Sequence, residues 1–348
     1  MIRVRWLWLI CLIFVFGSFF PLLGFASKGD NEIIEPFEED RYNDRLEILK
    51  EAIRLTLDFS LAYLDLELDR LRFGEYSEPP GEVRYTEEPK AKNAKEYYEL
   101  GLYYMKQNSY SKAIDAFKQA IKLKPDYPEA FNGLGLVYGS LGSYEDAIKA
   151  FKSAIRLKGD YKEAYYNLGL SYGKLGRYEE AVKAFERALE LSSEEESIKV
   201  NLALAYYKIG GFYWELAKYK KSLEAFKKAV ELDPNNVNFY HDLACAYGKL
   251  GSYDEAIKIY KEVIKLNPEY ALAYYNLGVC YAKLERYVEA LEALEKALKM
   301  RYDYAKSHYG ISLVYLILGN NNYAFKHYKI LEKLDPDLAK ELFRYIFP

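Results

Sequence analysis

The chain has 348 residues, of which 51% are hydrophobic and 29% charged, and its formal net charge is −3 at pH 7. No basic patch dominates a chain with so small a net charge, which argues against nucleic acid as a partner. Aromatic residues make up 17% of the chain, and 37 residues are tyrosines. The function therefore has to be inferred from the order of segments along the chain.

Residues 1–26 have the layout of a secretory signal peptide. Arg3 and Arg5 form a positively charged start, an apolar run continues to Phe20, and a small-residue cleavage site ends at Ala26. The alternative is an uncleaved anchor, because the apolar stretch is long enough to cross a bilayer. Both alternatives leave the body outside the cytoplasm. We expect an exported protein, periplasmic or extracellular, or one anchored by its N-terminal segment.

Three segments separate this leader from the rest of the chain. Residues 27–43 are acidic and lack a clear period, which predicts a solvated spacer. Residues 44–73 carry leucine or isoleucine at every third or fourth position, which predicts an amphipathic helix with a wide apolar face. That face is expected to cap the C-terminal body of the chain, to pair as a coiled coil, or to bind a partner. Residues 74–93 are rich in proline and glycine, which marks a linker.

The chain then repeats itself at a fixed period. A tyrosine recurs at intervals of 34, 34, 41, 34 and 34 residues. These tyrosines are Tyr110, Tyr144, Tyr178, Tyr219, Tyr253 and Tyr287. A period of this length is typical of stacked repeats whose apolar faces are covered by their neighbours.

The unit at 128–161 shows what repeats. Leu134 and Tyr138 before a central turn, and Ala147 and Phe151 after it, are spaced as on one face of a helix. The glycine in the LGSY sequence between them can adopt the left-handed conformation that ends a helix. The small residues of the unit are expected where its two helices approach closely. Each unit is therefore predicted to be a helix–turn–helix.

This pattern resembles the tetratricopeptide repeat. Seven units match it in register, at 94–127, 128–161, 162–195, 196–236, 237–270, 271–304 and 305–338. The resemblance implies an all-α fold, a right-handed α-solenoid of helix–turn–helix repeats with the helical segment at its N-terminal side. Residues 339–348 predict a C-terminal capping helix, because the last repeat of such an array needs a cover.

The fourth unit has 41 residues, against 34 in its neighbours. Two repeat registers fit it, since the seven extra residues make almost two helical turns. We expect a first helix lengthened by two turns, with a kink site at its paired glycines. Such a helix would push Phe212 and Trp214 past the neighbouring turns as a protruding contact for a partner. The alternative is a local variation in packing.

The resemblance also implies that the first helices line a concave groove that binds partners. The positions implied for contact are Tyr98, Lys106, Tyr166, Asn167, Lys174, Asn201, His241, Asp242, Lys249, Tyr275, Asn276, Lys283 and Tyr309. Amides of this kind can pair with a peptide backbone, tyrosines offer rigid amphipathic area, and lysines favour acidic side chains. Gly139, Gly173 and Gly248 leave one row of the groove wall small enough to admit bulky side chains.

No catalytic constellation can be assembled from the sequence. The three histidines show no metal-ligand spacing among themselves or with the cysteines, and no glycine-rich loop would hold a phosphate. We therefore predict no enzyme activity, no cofactor and no metal site. Cys245 and Cys280 are expected to be two buried thiols, because neighbouring helices pack about 8–10 Å apart and a disulfide needs Cα atoms within about 7 Å.

These features predict a non-enzymatic scaffold or adaptor that binds proteins or extended peptides in its concave groove, outside the cytoplasm. One alternative is a structural subunit of an oligomeric, membrane-associated assembly that uses the 44–73 helix and the edges of the array. Another is a regulatory module that acts on an enzyme in trans. Membrane contact is expected only through the N-terminal segment if it stays uncleaved, and the oligomeric state is left open.

Overall fold

A computed structural model of the chain describes residues 39–56, 74–76, 90–192, 195–300 and 305–347. The predicted leader, most of the predicted spacer, residues 57–73 of the predicted helix and most of the predicted linker lie outside the described residues. The chain divides into two compact units, Met1–Asp44 and Arg45–Pro348. None of the helices in the described ranges is long and apolar enough to cross a bilayer.

The described residues form sixteen α-helices and no strand. They are α1 (Glu39–Thr56), α2 (Ala94–Lys106), α3 (Tyr110–Leu123), α4 (Pro128–Ser140), α5 (Tyr144–Leu157), α6 (Lys162–Lys174), α7 (Tyr178–Leu191), α8 (Glu196–Glu215), α9 (Tyr219–Leu232), α10 (Val237–Lys249), α11 (Tyr253–Leu266), α12 (Ala271–Lys283), α13 (Tyr287–Met300), α14 (Ala305–Ile317), α15 (Asn321–Leu334) and α16 (Pro336–Ile346). The all-α prediction is confirmed. From α2 to α15 the helices form seven consecutive pairs.

The two helices of a pair are buried differently. The second helix is amphipathic: α5 buries Ala147, Phe151 and Ala154 on one face and turns its charged residues to solvent. The first helix is covered on most sides, and α4 buries eight of its thirteen residues. A first helix built from small and apolar residues therefore lies between layers, while the second helix forms the outer layer.

A left-handed residue ends the first helix of every pair. Gly142 has φ of 75°, which confirms the conformation predicted for the LGSY turn. Glycine occupies the same position in four of the seven turns, and the other three hold Asn108, Ala217 and Glu285 with φ between 54° and 60°. All seven turns thus share the left-handed conformation, although only four of them have glycine at that position.

Close contact between paired helices depends on a glycine facing a large side chain. A Cβ added at Gly135 would lie 2.5 Å from the ring of Phe151, and one added at Gly169 would lie 2.6 Å from the ring of Phe185. No real Cβ sits so close to another atom without something shifting. The prediction that small residues mark the close approach of two helices is confirmed here.

The pairs stack in chain order within Arg45–Pro348, which makes this unit an α-solenoid. Each second helix packs on the first helix of its own repeat and on the first helix of the next one. First helices also contact the first helices of neighbouring repeats, as α2 does α4 and α12 does α14. The first helices therefore line the inner, concave face, and α16 packs on α14 and α15 at the end of the array.

In the fourth repeat, α8 is a continuous helix of 20 residues where α6 has 13. Gly210 lies against the ring of Phe226, as the equivalent glycines of other repeats lie against their phenylalanines. This contact sets the register at the C-terminal end of α8, so the additional turns lie at its N-terminal end.

The position of the extra turns corrects the prediction of a protruding aromatic contact. Trp214 takes an ordinary repeat position, is half-buried, and packs edge-on against Tyr219 with ring centroids 5.1 Å apart. It also contacts the two largest hydrophobic clusters of the array. Phe212 is 47% exposed but sits within the ordinary length of the helix. Neither residue is pushed past the neighbouring turns.

The predicted boundaries at the two ends of the array also shift. Helix α1 begins at Glu39, inside the stretch predicted as a spacer, and α16 begins at Pro336 rather than at residue 339. Asp335 explains the second shift, because its side chain accepts hydrogen bonds from the backbone N–H groups of Asp337 and Leu338 and so caps an earlier start.

Candidate protein-binding face

The polar side chains of the concave face connect neighbouring repeats. Four hydrogen bonds join residues 35 positions apart, which is one repeat period plus one residue. They pair Asn132 with Asn167 at 3.3 Å, Tyr166 with Asn201 at 3.1 Å, Tyr207 with Asp242 at 2.6 Å, and His241 with Asn276 at 2.8 Å. Because all of these atoms are buried or nearly so, the bonds satisfy polar groups between first helices.

Most of the residues predicted to line the groove are consequently buried. Those below one tenth exposure are Tyr166, Asn167, Asn201, His241, Asp242, Tyr275, Asn276 and Tyr309. They do not present an open surface in this arrangement, and their contact with a partner stays a prediction. Their burial has two causes. Hydrogen bonds join them between repeats, and N-terminal segments of the same chain cover the concave face.

The remaining predicted positions are more accessible. Tyr98 is half-buried between the rings of Phe117 and Tyr127, at centroid distances of 5.8 and 5.3 Å. Lys106 and Lys174 are exposed. Lys249 and Lys283 are half-buried. The lysine row is thus the part of the predicted groove that stays closest to solvent.

The C-terminal part of helix α1 covers the last repeats. Leu49, Ala52 and Ile53 are 2%, 3% and 1% exposed and belong to one hydrophobic cluster with Tyr275 and Tyr309. Ile48, at the edge of this buried face, is 58% exposed. Part of the predicted apolar face of this segment therefore packs on the inner surface of the array. That surface supplies the remaining residues of the cluster.

Polar contacts hold the same helix at three places. Lys283 Nζ donates to the backbone oxygen of Ile53 at 2.9 Å. Lys50 forms an ion pair with Glu285 at 3.1 Å, and Arg45 donates to the backbone oxygen of Tyr345 at 3.1 Å. A lysine near the last carbonyls of a helix is favoured by the helix dipole. Lys283 is thus one of the predicted groove residues with a described contact to the N-terminal segment.

A second stretch, Gly74–Tyr76, lies against repeats two to four. The backbone N–H of Gly74 donates to Asn201 Oδ1 at 2.8 Å, and the hydroxyl of Tyr166 donates to the backbone oxygen of Glu75 at 3.3 Å. An amide and a tyrosine of the predicted groove therefore pair with a peptide backbone, which is the chemistry expected of the amide.

The ring of Tyr76 fills a place where the groove wall has no side chain. A Cβ added at Gly139 would lie 2.5 Å from this ring, so only glycine leaves it room. The ring stacks on Phe151 with centroids 6.1 Å apart, and its hydroxyl lies 3.1 Å from Ser171 Oγ. Burial raises the pKa of Tyr76 to about 12. The prediction that the glycine row admits a bulky side chain is confirmed at Gly139.

A separate cluster lies in the fifth repeat. His241, Asp242 and Cys245 are fully buried, and one ligand atom from each lies within 4.8 Å of the others. The sequence prediction that no histidine has metal-ligand spacing with a cysteine is wrong at this point. His241 and Cys245 are four residues apart in α10, which places them on one face of the helix. Cys245 and Cys280 form no disulfide, as predicted.

A stack of helix pairs with a concave face that already holds chain segments defines a repeat protein of the protein-binding class. Three family models described as tetratricopeptide repeat or TPR repeat match the chain. Their matches cover residues 101–142 and 138–176, residues 162–235, and residues 241–300 and 283–339. The chain belongs to the tetratricopeptide repeat family.

Two solved structures with TM-scores above 0.5 share the fold. The C-terminal part of a TPR repeat-containing protein from Cytophaga hutchinsonii is 18% identical with a TM-score of 0.52, over 70% of this chain and 98% of that one. Naa15/Naa10 bound to HypK-THB is 20% identical with a TM-score of 0.52, over 73% of this chain and 39% of that one. YrrB, a TPR protein with an unusual peptide-binding site, is 28% identical with a TM-score of 0.42, over 56% and 96%.

No curated protein matches the sequence. The family and the shared fold make the chain a protein-interaction scaffold in general terms. Scaffolds of this family are typically non-catalytic.

Proposed function

We propose that this chain is an adaptor that binds a partner segment on its concave face, where its own residues 45–53 and 74–76 now lie. One observation carries the proposal: Asn201 and Tyr166 hydrogen-bond to the backbone of Gly74 and Glu75. Backbone bonds of this kind do not depend on the side chains of the bound segment. A segment from another protein is therefore able to form them too.

The contacts of the chain's own segment define the chemistry of the partner. An amphipathic helix with two aliphatic anchors one turn apart would replace Leu49 and Ile53. A glycine followed two residues later by an aromatic residue would replace Gly74 and Tyr76. The exposed Lys106 and Lys174 favour acidic residues in the partner.

The chain's own segment then acts as a competitor for the same surface. A tethered segment has an effective concentration of about 1 mM, so a partner present at about 1 µM must bind about a thousandfold more tightly to displace half of it. Full burial of Leu49 and Ile53 contributes at most about 3–6 kcal/mol to the segment's own binding. A partner with better anchors, or a signal that loosens the segment, satisfies this condition.

The proposal includes a location for the repeats outside the cytoplasm. The charged start, apolar run and small-residue site of residues 1–26 favour export or anchoring, with the repeats outside the cytoplasm. Fusing an alkaline phosphatase reporter to the C-terminus tests it, since that enzyme is active only in an oxidising compartment. Activity supports export, and an inactive fusion present at normal abundance contradicts it.

The binding proposal is tested with a matched pair of full-length variants. Ile53→Asp places a charge in the buried interface, and Ile48→Asp places the same charge at an exposed position of the same helix. The probe is a fluorescent peptide of residues 45–76, followed by anisotropy. We expect the Ile53→Asp chain to bind it at least about tenfold more tightly than the Ile48→Asp chain, because only the first releases its own segment.

A third variant locates the binding surface. Adding Asn201→Ala to Ile53→Asp is expected to weaken peptide binding by about tenfold, because the peptide then loses a backbone hydrogen bond in a buried place. Equal binding by the Ile48→Asp and Ile53→Asp chains would rule out displacement. Oligomers that dissociate in Ile53→Asp alone would favour the alternative of an assembly subunit that exchanges this segment between copies.

A further inference from the structure

The buried cluster of the fifth repeat departs from the repeat framework at several positions together. The residue equivalent to His241 is tyrosine in most repeats, and the residue equivalent to Cys245 is an aliphatic core residue such as Leu102, Leu136 or Leu170. The position of Tyr260 holds phenylalanine in the first four repeats. Changes at three positions that meet in one place indicate a local purpose that framework packing does not explain.

The geometry of the three donors suits one small ion. His241 Nδ1 lies 2.9 Å from Asp242 Oδ1 and 3.9 Å from Cys245 Sγ. Ligand bonds of about 2.0 Å to nitrogen or oxygen and about 2.3 Å to sulfur give separations of about 3.3–3.8 Å between the ligands of a tetrahedral ion. One observed separation is shorter and one is longer than this range, and all three donor atoms lie within 4.8 Å of one another, so small side-chain shifts bring them onto one ion. The hydroxyl of Tyr260 lies 3.0 Å from Cys245 Sγ.

Neighbouring side chains orient these donors from a second layer. Tyr207 donates to Asp242 Oδ2 at 2.6 Å, which leaves Oδ1 directed at His241. Asn276 Nδ2 lies 2.8 Å from His241 Nε2 and 3.4 Å from Cys245 Sγ, so this amide contacts two of the donors. A hydrogen bond to the outer oxygen of a carboxylate, as Tyr207 makes, is typical of the second layer around a metal ion. Tyr207 and Asn276 come from the first helices of the repeats before and after α10.

Charge also favours an ion in this place. Asp242 and Cys245 have no exposed surface, and a carboxylate with a thiolate would be costly in so dry an environment. A divalent cation neutralises both charges, and its binding releases the thiol proton to solvent. The proton between His241 Nδ1 and Asp242 Oδ1 then moves to Nε2, where the Asn276 amide turns its oxygen to accept it, and Nδ1 is left to bind the ion. The donor set of imidazole, carboxylate and thiolate suits zinc and does not suit calcium or magnesium, which prefer oxygen ligands.

We propose that His241, Asp242 and Cys245 form a binding site for a zinc-like divalent ion, with the Tyr260 hydroxyl beside the Cys245 sulfur. The site joins α10 to α11 and, through Tyr207 and Asn276, to the fourth and sixth repeats. Its role is to stabilise the middle of the array beneath the concave face. It does not depend on the proposed partner binding.

Cobalt titration of the metal-free, full-length chain tests the site, because a cobalt–thiolate bond absorbs where zinc is silent. We expect a charge-transfer band that saturates at one equivalent, together with a rise in the thermal midpoint. Cys245→Ser removes the band. Cys280→Ser is the matched control, since Cys280 is equally buried in the first helix of the next repeat, and it keeps the band.

Two further variants distinguish loss of the metal site from misfolding. His241→Tyr and Asp242→Asn introduce the residues found at equivalent positions of other repeats, so the fold is expected to persist while zinc affinity falls by more than about tenfold. No band in the wild-type chain, or an unchanged band in Cys245→Ser, would overturn the proposal. An equal loss of the band in Cys280→Ser would overturn it as well.

Discussion

The two halves of the concave face hold the N-terminal segment in different ways. Repeats two to four hold Gly74–Tyr76 through backbone hydrogen bonds and a single ring inserted beside Gly139. The last repeats hold α1 by burying Leu49 and Ile53, with one ion pair between Lys50 and Glu285. One repeat framework therefore serves two kinds of recognition, and the side chains on the first helices decide which kind a given repeat supports.

Helix pairing in the first four repeats and in the sixth rests on a glycine that faces a large side chain, and breaking this contact should have the largest effect. Gly135→Leu places a side chain against the ring of Phe151, where even a Cβ would be 2.5 Å away. We expect a loss of roughly 3 kcal/mol or more in the free energy of unfolding, measured by chemical denaturation.

Gly159→Leu is the matched control for that change, because nothing lies within 4 Å of a Cβ at Gly159. This second variant should stay within about 0.5 kcal/mol of the wild type. Equal stability of the two variants would mean that the helix pair does not pack as described.

The half of the concave face formed by repeats two to four is tested by filling the space beside Gly139 that receives the ring of Tyr76. Gly139→Leu should cost about 1–3 kcal/mol, because its side chain competes with the ring for the same space. In a chain that already carries Tyr76→Ala, the same change should cost much less. A double-mutant cycle over these two positions measures the coupling, and additive effects would show that Tyr76 does not occupy this place.

The stability of the half formed by the last repeats is expected to be more sensitive to acid than that of repeats two to four. His327 in α15 lies 3.0 Å from His308, and burial together with this neighbour lowers its pKa to about 4. The unfolded chain takes up the proton near pH 6.5 and the folded chain does so only near pH 4. Stability from this residue is therefore complete above pH 6.5 and is lost as the pH falls through that window.

With a discount for partial exposure, this loss is on the order of 1 kcal/mol. Unfolding free energies measured between pH 7 and 4 should fall less steeply in His327→Gln than in the wild type. Parallel profiles would contradict the expectation.

The smallest effect concerns the turn of the fourth repeat. Ala217 has φ of 55°, where glycine is the better residue, so Ala217→Gly should stabilise the chain by about 0.5–1 kcal/mol. Gly142→Ala makes the reverse change at φ of 75° and should destabilise it by a similar amount. Changes of the same sign in both variants would contradict this account of the turns.

Local periodicity was sufficient to predict the helix pairs, because each pair is specified by residues three and four apart. It could not decide the register of the fourth repeat, since seven residues make nearly two turns and both registers place apolar residues inward. The contact of Gly210 with Phe226 decides it, and that contact joins two different helices. Trp214 was misplaced for this reason.

The exposure of the concave face was harder to predict, for a related reason. Asn201 was predicted to pair with a peptide backbone and Tyr166 to offer amphipathic area to a partner, but both are covered by Gly74 and Glu75, which lie far away in the sequence. The cluster in α10 was missed although the spacing of His241 and Cys245 carries a signal. Side chains four residues apart on a helix can converge, and their burial becomes visible only once the neighbouring repeats are in place.

The most direct test of the central claim is a photo-crosslink from position 76 of the full-length chain, where a benzoylphenylalanine replaces Tyr76. Mass spectrometry then identifies the crosslinked peptide. The account predicts an intramolecular product with the helices that carry Gly139, Phe151 and Ser171, and its loss when a tight-binding partner peptide is added. Crosslinks to other surfaces, or only between chains, would contradict it.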